Sequence, residues 1–200
     1  METYGNRDNR LSPIRKCWIS TKDVTVAGVW GEGTSKELTA NWTSPFEGES
    51  IGSKVQVGGG VLQVFTGGET MRNTFNSRQT WEGNRPTTFN LEFKLYALED
   101  PDIEVMQAIR AIETMAAPDV GQHALDGLFG AIPDIVCLNI GTRIMYTDMV
   151  IESISQPFDK EMDSMGRFVR ATLNLQLSTV QMISKDMLNA GYGLQAPSEQ

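Results

Sequence analysis

The chain has 200 residues, 40% of them hydrophobic, and carries a formal charge of −8 with a pI near 4.7. That length supports one core, or one core with a sizeable extension, and the acidic balance argues against gripping nucleic acid by neutralising its phosphates. No apolar run is long enough to span a bilayer, and Met1 to Arg7 lacks the apolar stretch of a secretory signal, so folding in a cytoplasm is expected. In such a reducing compartment Cys17 and Cys137, far apart in the chain, are expected as free thiols.

Residues 1–13 are polar and charged and read as a flexible arm. Residues 14–19 and 23–30 read as strands: Val24, Val26 and Ala27 supply β-branched and small apolar side chains, and Gly28 marks a bulge or a close backbone approach. From 31 to 60 the sequence is rich in Gly, Ser, Thr and Glu, with Trp42, Phe46, Ile51, Val55 and Val57 scattered as anchors, the pattern of a long loop insertion. Gly58-Gly59-Gly60 precedes the short apolar strand 61–65. Phosphate loops place their glycines after a strand and need a lysine at a fixed offset, so that reading fails. Residues 66–87 form a second polar insertion. Its Arg72, Arg78 and Trp81 are residue types enriched at protein interfaces and are candidate subunit contacts. The alternative is a solvated loop whose Trp81 packs on its own domain.

Residues 88–96 alternate strictly, Phe89, Leu91, Phe93 and Leu95 against Asn90, Glu92, Lys94 and Tyr96, the period of a half-buried strand. Asp100-Pro101-Asp102 then opens a helix with an acceptor at the cap and proline in the first turn. Along residues 101–116, Val105, Ala108, Ile109, Ile112, Met115 and Ala116 share one face, and Glu104, Gln107, Arg110, Glu113 and Thr114 the other. Ile103 and Met106 fall off the apolar face and are candidate contacts between subunits. Residues 120–131 read as a packed loop, and residues 135–140 as a buried strand with Cys137 as a small core residue. A long hairpin follows, strands 143–157 and 168–178 around a polar turn. In its second strand Val169, Ala171, Leu173, Leu175 and Leu177 alternate with Arg170, Thr172, Asn174, Gln176 and Ser178. Residues 189–200 read as a flexible tail, leaving 14–188 as a single domain with two loop insertions.

Chemistry finds little purchase in these residues. The single histidine, His123, cannot build a multi-histidine metal site, and no nucleophile elbow accompanies it. Asp159, Glu161 and Asp163 alternate in the hairpin turn, but a calcium loop needs a glycine at its sixth position and a closing glutamate, and neither is in place. No catalytic residue, metal site or cofactor is therefore assigned.

The order of strand 88–96, helix 101–116, strand 135–140 and hairpin 143–178 resembles that of phage tail-tube and tube-like baseplate proteins. Met149-Val150-Ile151-Glu152-Ser153-Ile154-Ser155, followed after a charged turn by Phe168-Val169-Arg170-Ala171-Thr172-Leu173-Asn174-Leu175, looks like that family's closing hairpin. The resemblance covers the second half of the chain. It implies an α+β, mainly β fold: a β-sandwich or split barrel with one flanking helix and long polar loops. It also implies a structural virion protein, not an enzyme, forming a hexameric ring at the tail tube or baseplate hub of a contractile-tailed phage. Its partners would be further copies of itself and neighbouring tail-tube and baseplate proteins, with DNA passing through unbound and no membrane segment. In such a ring the wet-face residues Asn90, Glu92, Lys94, Asn174 and Gln176 are the candidate lumen lining. Two other readings stand beside it: a binding module for peptide or glycan using Trp42, Trp81 and the arginine-bearing loop, and a hydrolase with dispersed carboxylates.

Overall fold

In a computed structural model, residues 1–6, 8–43, 79–118, 132–158 and 161–193 are described. They fall into two compact units, Met1–Leu38 with Pro86–Gln200, and Thr39–Arg85.

The first unit is mainly β and closes into a six-stranded antiparallel barrel. Its strands are β2 (Lys16–Ser20), β3 (Val24–Trp30), β7 (Thr88–Tyr96), β8 (Val136–Ile140), β9 (Ile144–Ser155) and β10 (Arg170–Thr179), numbered so that β1 and β4 to β6, given below, keep chain order. Around the barrel the order is β3-β2-β8-β9-β10-β7, and β7 returns to β3. Binary patterning builds the wall. Leu95, Phe93, Leu91 and Phe89 of β7 stand opposite Ala171, Leu173, Leu175 and Leu177 of β10, so one register buries both apolar sets together. A one-residue slip would turn every one of them outward.

The closing seam is short: Val29 and Trp30 pair with Lys94 and Phe93, and the Gly31 N–H adds a bond to the Glu92 carbonyl at 2.7 Å. Beyond it β3 and β7 splay apart, and each free half takes a further strand. β1 (Glu2–Gly5) lies parallel to Val24–Ala27, and β4 (Ser35–Glu37) lies antiparallel to Thr88–Asn90. Gly28 lies under the seam. A Cβ there would stand 2.4 Å from the Phe93 ring, so what this glycine makes room for is a buried side chain and not the bulge or close backbone approach expected of it.

Helix α1 packs against β1, β3, β7 and β9, with Val105, Ala108, Ile109, Ile112 and Met115 buried. Its first turn, Asp102–Met106, is a π-turn, continued by an α-helix over Gln107–Ala116. The Asp100 carboxylate accepts the Asp102 N–H at 3.0 Å, as an opening cap should. A short second helix, α2 (Lys185–Gly191), begins where the Ser184 hydroxyl accepts the Met187 N–H at 3.2 Å. The Lys36 ammonium ties α2 to the barrel. It lies 4.8 Å from the Tyr146 ring centre and 5.0 Å from that of Tyr192, and donates to the Tyr146 hydroxyl at 2.5 Å.

In the second unit, β5 (Ala40–Thr43) and β6 (Thr80–Asn84) form a two-stranded ribbon in which Trp42 stands opposite Trp81.

Several expectations change. The barrel is closed, not a sandwich or split barrel, and two helices, not one, accompany it among the described residues. Residues 2–5, read as part of a flexible arm, form β1, because the splayed edge of β3 offers them backbone partners. The insertions read as loops contribute β4, β5 and β6, and α2 reaches past residue 188, where the flexible tail was placed to begin. Cys137 is half-buried, alternating with buried Val136 and Leu138, so it is not a core residue. Glu104, assigned to the wet face, is 2% exposed. The anchors Phe46, Ile51, Val55 and Val57, the triple glycine with strand 61–65, the loop containing His123, and residues 194–200 lie outside the described residues.

Candidate functional site: a polar sheet face with an open edge

The inward apolar residues of β7 and β10 leave the alternate positions on the outer surface, and register arranges them in rows. Asn90 faces Gln176, which faces Ser153; Glu92 faces Asn174, which faces Ser155; Lys94 faces Thr172. All five candidate lumen residues, Asn90, Glu92, Lys94, Asn174 and Gln176, are thus brought onto one continuous face across β9, β10 and β7. A depression of about 210 Å³ runs through it, walled by Gly33, Asn90, Glu92, Ser153, Asn174 and Gln176 among others. A second, of about 460 Å³, continues past Lys94 and Tyr96 towards Glu161 and Arg170.

The charges on this face are matched. Glu92 pairs with Lys94 at 3.0 Å, and Glu161 with Arg170 at 3.5 Å; the remaining groups are short neutral amides and hydroxyls. Such a surface holds water through many weak hydrogen bonds and offers a polyanion no concentrated field. Glu92 also accepts the Gly33 N–H at 2.8 Å, while its own N–H donates to Thr34 Oγ1 at 3.3 Å, so the carboxylate clips the chain just beyond the seam onto β7. Donation from Gly33, followed by Lys94, holds the Glu92 carboxyl below its ordinary range. A lowered carboxyl pKa contributes stability that is present above the unfolded value and is lost as pH falls through the folded one. The Gly33 amide is therefore expected to lose hydrogen-exchange protection, after correction for intrinsic rate, as pH drops below the usual carboxylate range. Glu92→Gln should abolish that pH dependence.

The face ends at an unusual edge. β9 pairs with β8 only up to Met149, while β10 pairs with it from Met149 to Ser155. On the side away from β10, Val150–Ser155 has no strand partner among the described residues. Two irregularities shape this strand. An extra residue lies between Tyr146 and Met149, where Asp148 adopts φ 56°, and another at Glu152, between the partners of Leu177 and Gln176. At the opposite margin β4 is the last strand among the described residues.

The candidate subunit contacts are dispersed. Arg72 and Arg78 lie outside the described residues. Trp81, 48% exposed, shares the β5–β6 ribbon with Trp42, 56% exposed, and donates its indole N–H to Asn84 Oδ1 at 3.2 Å. Ile103 and Met106 are half-buried in the π-turn of α1. Both cysteines are free, and burial raises both thiols above their ordinary range, so neither is primed as a nucleophile. No helix among the described residues is long and apolar enough to cross a membrane.

Sequence reasoning missed the open edge, because pairing length is a property of the partner strand and of the bulges. It also missed the apolar hairpin tip, where Phe158 is 79% and Met165 77% exposed. There the signal was present, apolar residues inside a charged turn, but it was read as solvated. No protein-family model matches the chain, and a search of curated proteins finds no significant relative.

Proposed function

We propose that the protein is a structural ring-forming component of a phage tail, of the tail-tube-like kind, placed at the tube or baseplate hub. Its mechanism is assembly: the β9-β10-β7-β4 sheet of one copy extends the sheet of the next, and the joined polar faces line a channel through which DNA passes. The observation that carries this reading is the polar, charge-matched face bounded by the Val150–Ser155 edge, which has no partner opposite β10 among the described residues. An open edge six residues long invites association, and ring closure by rotation removes it. A hexamer, the contractile-tail setting and the neighbouring tube and baseplate proteins follow from the resemblance of the second half of the chain. The virion is then its location after synthesis in the host cytoplasm. The exposed Trp42–Trp81 pair favours the second reading, a binding module for peptide or glycan.

The edge supplies the test. Ser153→Lys with Ser155→Lys places hydrated charges on exposed positions of the edge strand. The doubly substituted protein is expected to keep its circular dichroism spectrum and melting temperature, while its light-scattering mass falls from that of a ring to that of a monomer. Rings that survive both lysines would remove this edge from the joint.

A further inference from the structure

One end of the barrel carries a positive patch on a chain whose net charge is −8. A 3₁₀ turn, Pro13–Arg15, leads into β2, and Gly141 and Thr142, with φ 60° and 62°, make the tight turn from β8 to β9. The two turns are locked together. The Gly141 N–H donates to the Lys16 carbonyl at 2.9 Å, and Gly141 lies so close to the Ile14 carbonyl that a Cβ would stand 2.7 Å from it. Trp30, at the end of β3, donates its indole N–H to that same carbonyl at 3.1 Å.

These contacts bring Ile14, 65% exposed, to Trp30, 39% exposed. Arg15, Lys16 and Arg143 belong to the same two turns, and none of them pairs with a carboxylate among the described residues. The neighbouring charges do not cancel them. Asp8, close enough to Lys16 to feel its charge, is already held by Arg10 at 3.1 Å. Lys94, in line with Lys16 across Val29, is paired with Glu92 at 3.0 Å. Exposed Glu32 offsets one of the three cations, so an excess of two positive charges remains.

An apolar centre holding a tryptophan and rimmed by arginines matches the make-up of anchor points in protein interfaces. Its fixed turns keep the ordering cost of docking low. Nucleic acid suits it poorly, because two excess charges neutralise few phosphates and Ile14 offers the backbone nothing. We propose that this patch binds an acidic segment of a partner protein, with carboxylates on Arg15, Lys16 and Arg143 and an apolar side chain on Ile14 and Trp30. The site is formed by turns and uses none of the Val150–Ser155 edge, so it holds whether or not rings form.

Fluorescence anisotropy tests it with three labelled probes. One is a short peptide of Glu and Asp around a central Leu-Phe pair, the next is the same peptide with every acid replaced by its amide, and the last is a short DNA duplex. The acidic peptide is expected to bind saturably, and the amide peptide about tenfold more weakly, with the difference shrinking at high salt. Arg15→Glu with Arg143→Glu should weaken the acidic peptide by a similar factor. Ile14→Ser, which keeps the backbone carbonyl that holds Trp30, should weaken it too, with the melting temperature of each variant unchanged. Absence of saturable binding, equal binding of the two peptides, or binding that survives the charge reversal overturns the proposal. So does tighter binding of the duplex through the same arginines, which would assign the patch to nucleic acid.

Discussion

Replacing Glu104 with alanine is expected to lower the unfolding free energy by about 3 kcal/mol, because three backbone donors lose one shared acceptor. The Glu104 carboxylate accepts the N–H groups of Leu98, Glu99 and Asp100 at 2.6, 2.9 and 3.2 Å. These are successive amides of the turn between β7 and α1, and the side chain that gathers them is 2% exposed. Water cannot readily replace it in so enclosed a position, and the π-turn of Asp102–Met106 sets it facing the turn. Glu104→Gln keeps one carbonyl acceptor without the charge, so about 1–2 kcal/mol is expected from it. Urea unfolding of both variants measures the difference. Equal, small losses from the two would show that the amides find other partners.

Removal of the Phe93 ring should cost about as much or more: Phe93→Ala is expected to destabilise by about 3–5 kcal/mol. Phe93 is fully buried, lies opposite Leu173, and is one of the two β7 residues that close the barrel onto β3. Its ring fills the space over Gly28 that a side chain there would otherwise occupy. The two positions are therefore coupled. Gly28→Ala in the wild type should cost about 1–3 kcal/mol through overpacking, and less in a Phe93→Leu background, where the smaller side chain yields room. A double-mutant cycle by chemical denaturation reads that coupling. Strict additivity would mean that the seam relaxes without contact between the two residues.

Of these two residues, Phe93 was legible in the sequence as core and Glu104 was not. The alternation of Phe89 to Leu95 and of Ala171 to Leu177 set both strands and their buried faces, because a period of two has one reading when one face is wet. The same logic placed Asn90, Glu92, Lys94, Asn174 and Gln176 together on a single surface. Glu104 was read wrongly for a physical reason: helical periodicity counts a carboxylate as solvated, whereas a π-turn and three converging amides are tertiary facts. Strand β1 escaped notice because its side chains are mostly exposed and its stability comes from backbone pairing with β3, which leaves no hydrophobic trace. Closure of the barrel was equally hidden, since it depends on two residue pairs and on the absence of a Cβ at Gly28. The resemblance to tail-tube proteins, drawn from the order of elements, implied a mainly β fold, but as a β-sandwich or split barrel with one flanking helix, and so neither the closed barrel nor the second helix.

The most direct test of the ring is the particle mass of the purified protein by light scattering, alone and with lysate from cells making neighbouring tail proteins, followed by negative-stain imaging. The account predicts six-fold rings or stacked tubes with a central hole. A monomer under every condition, never incorporated into a larger particle, would contradict it and leave the Trp42–Trp81 ribbon as the feature to pursue.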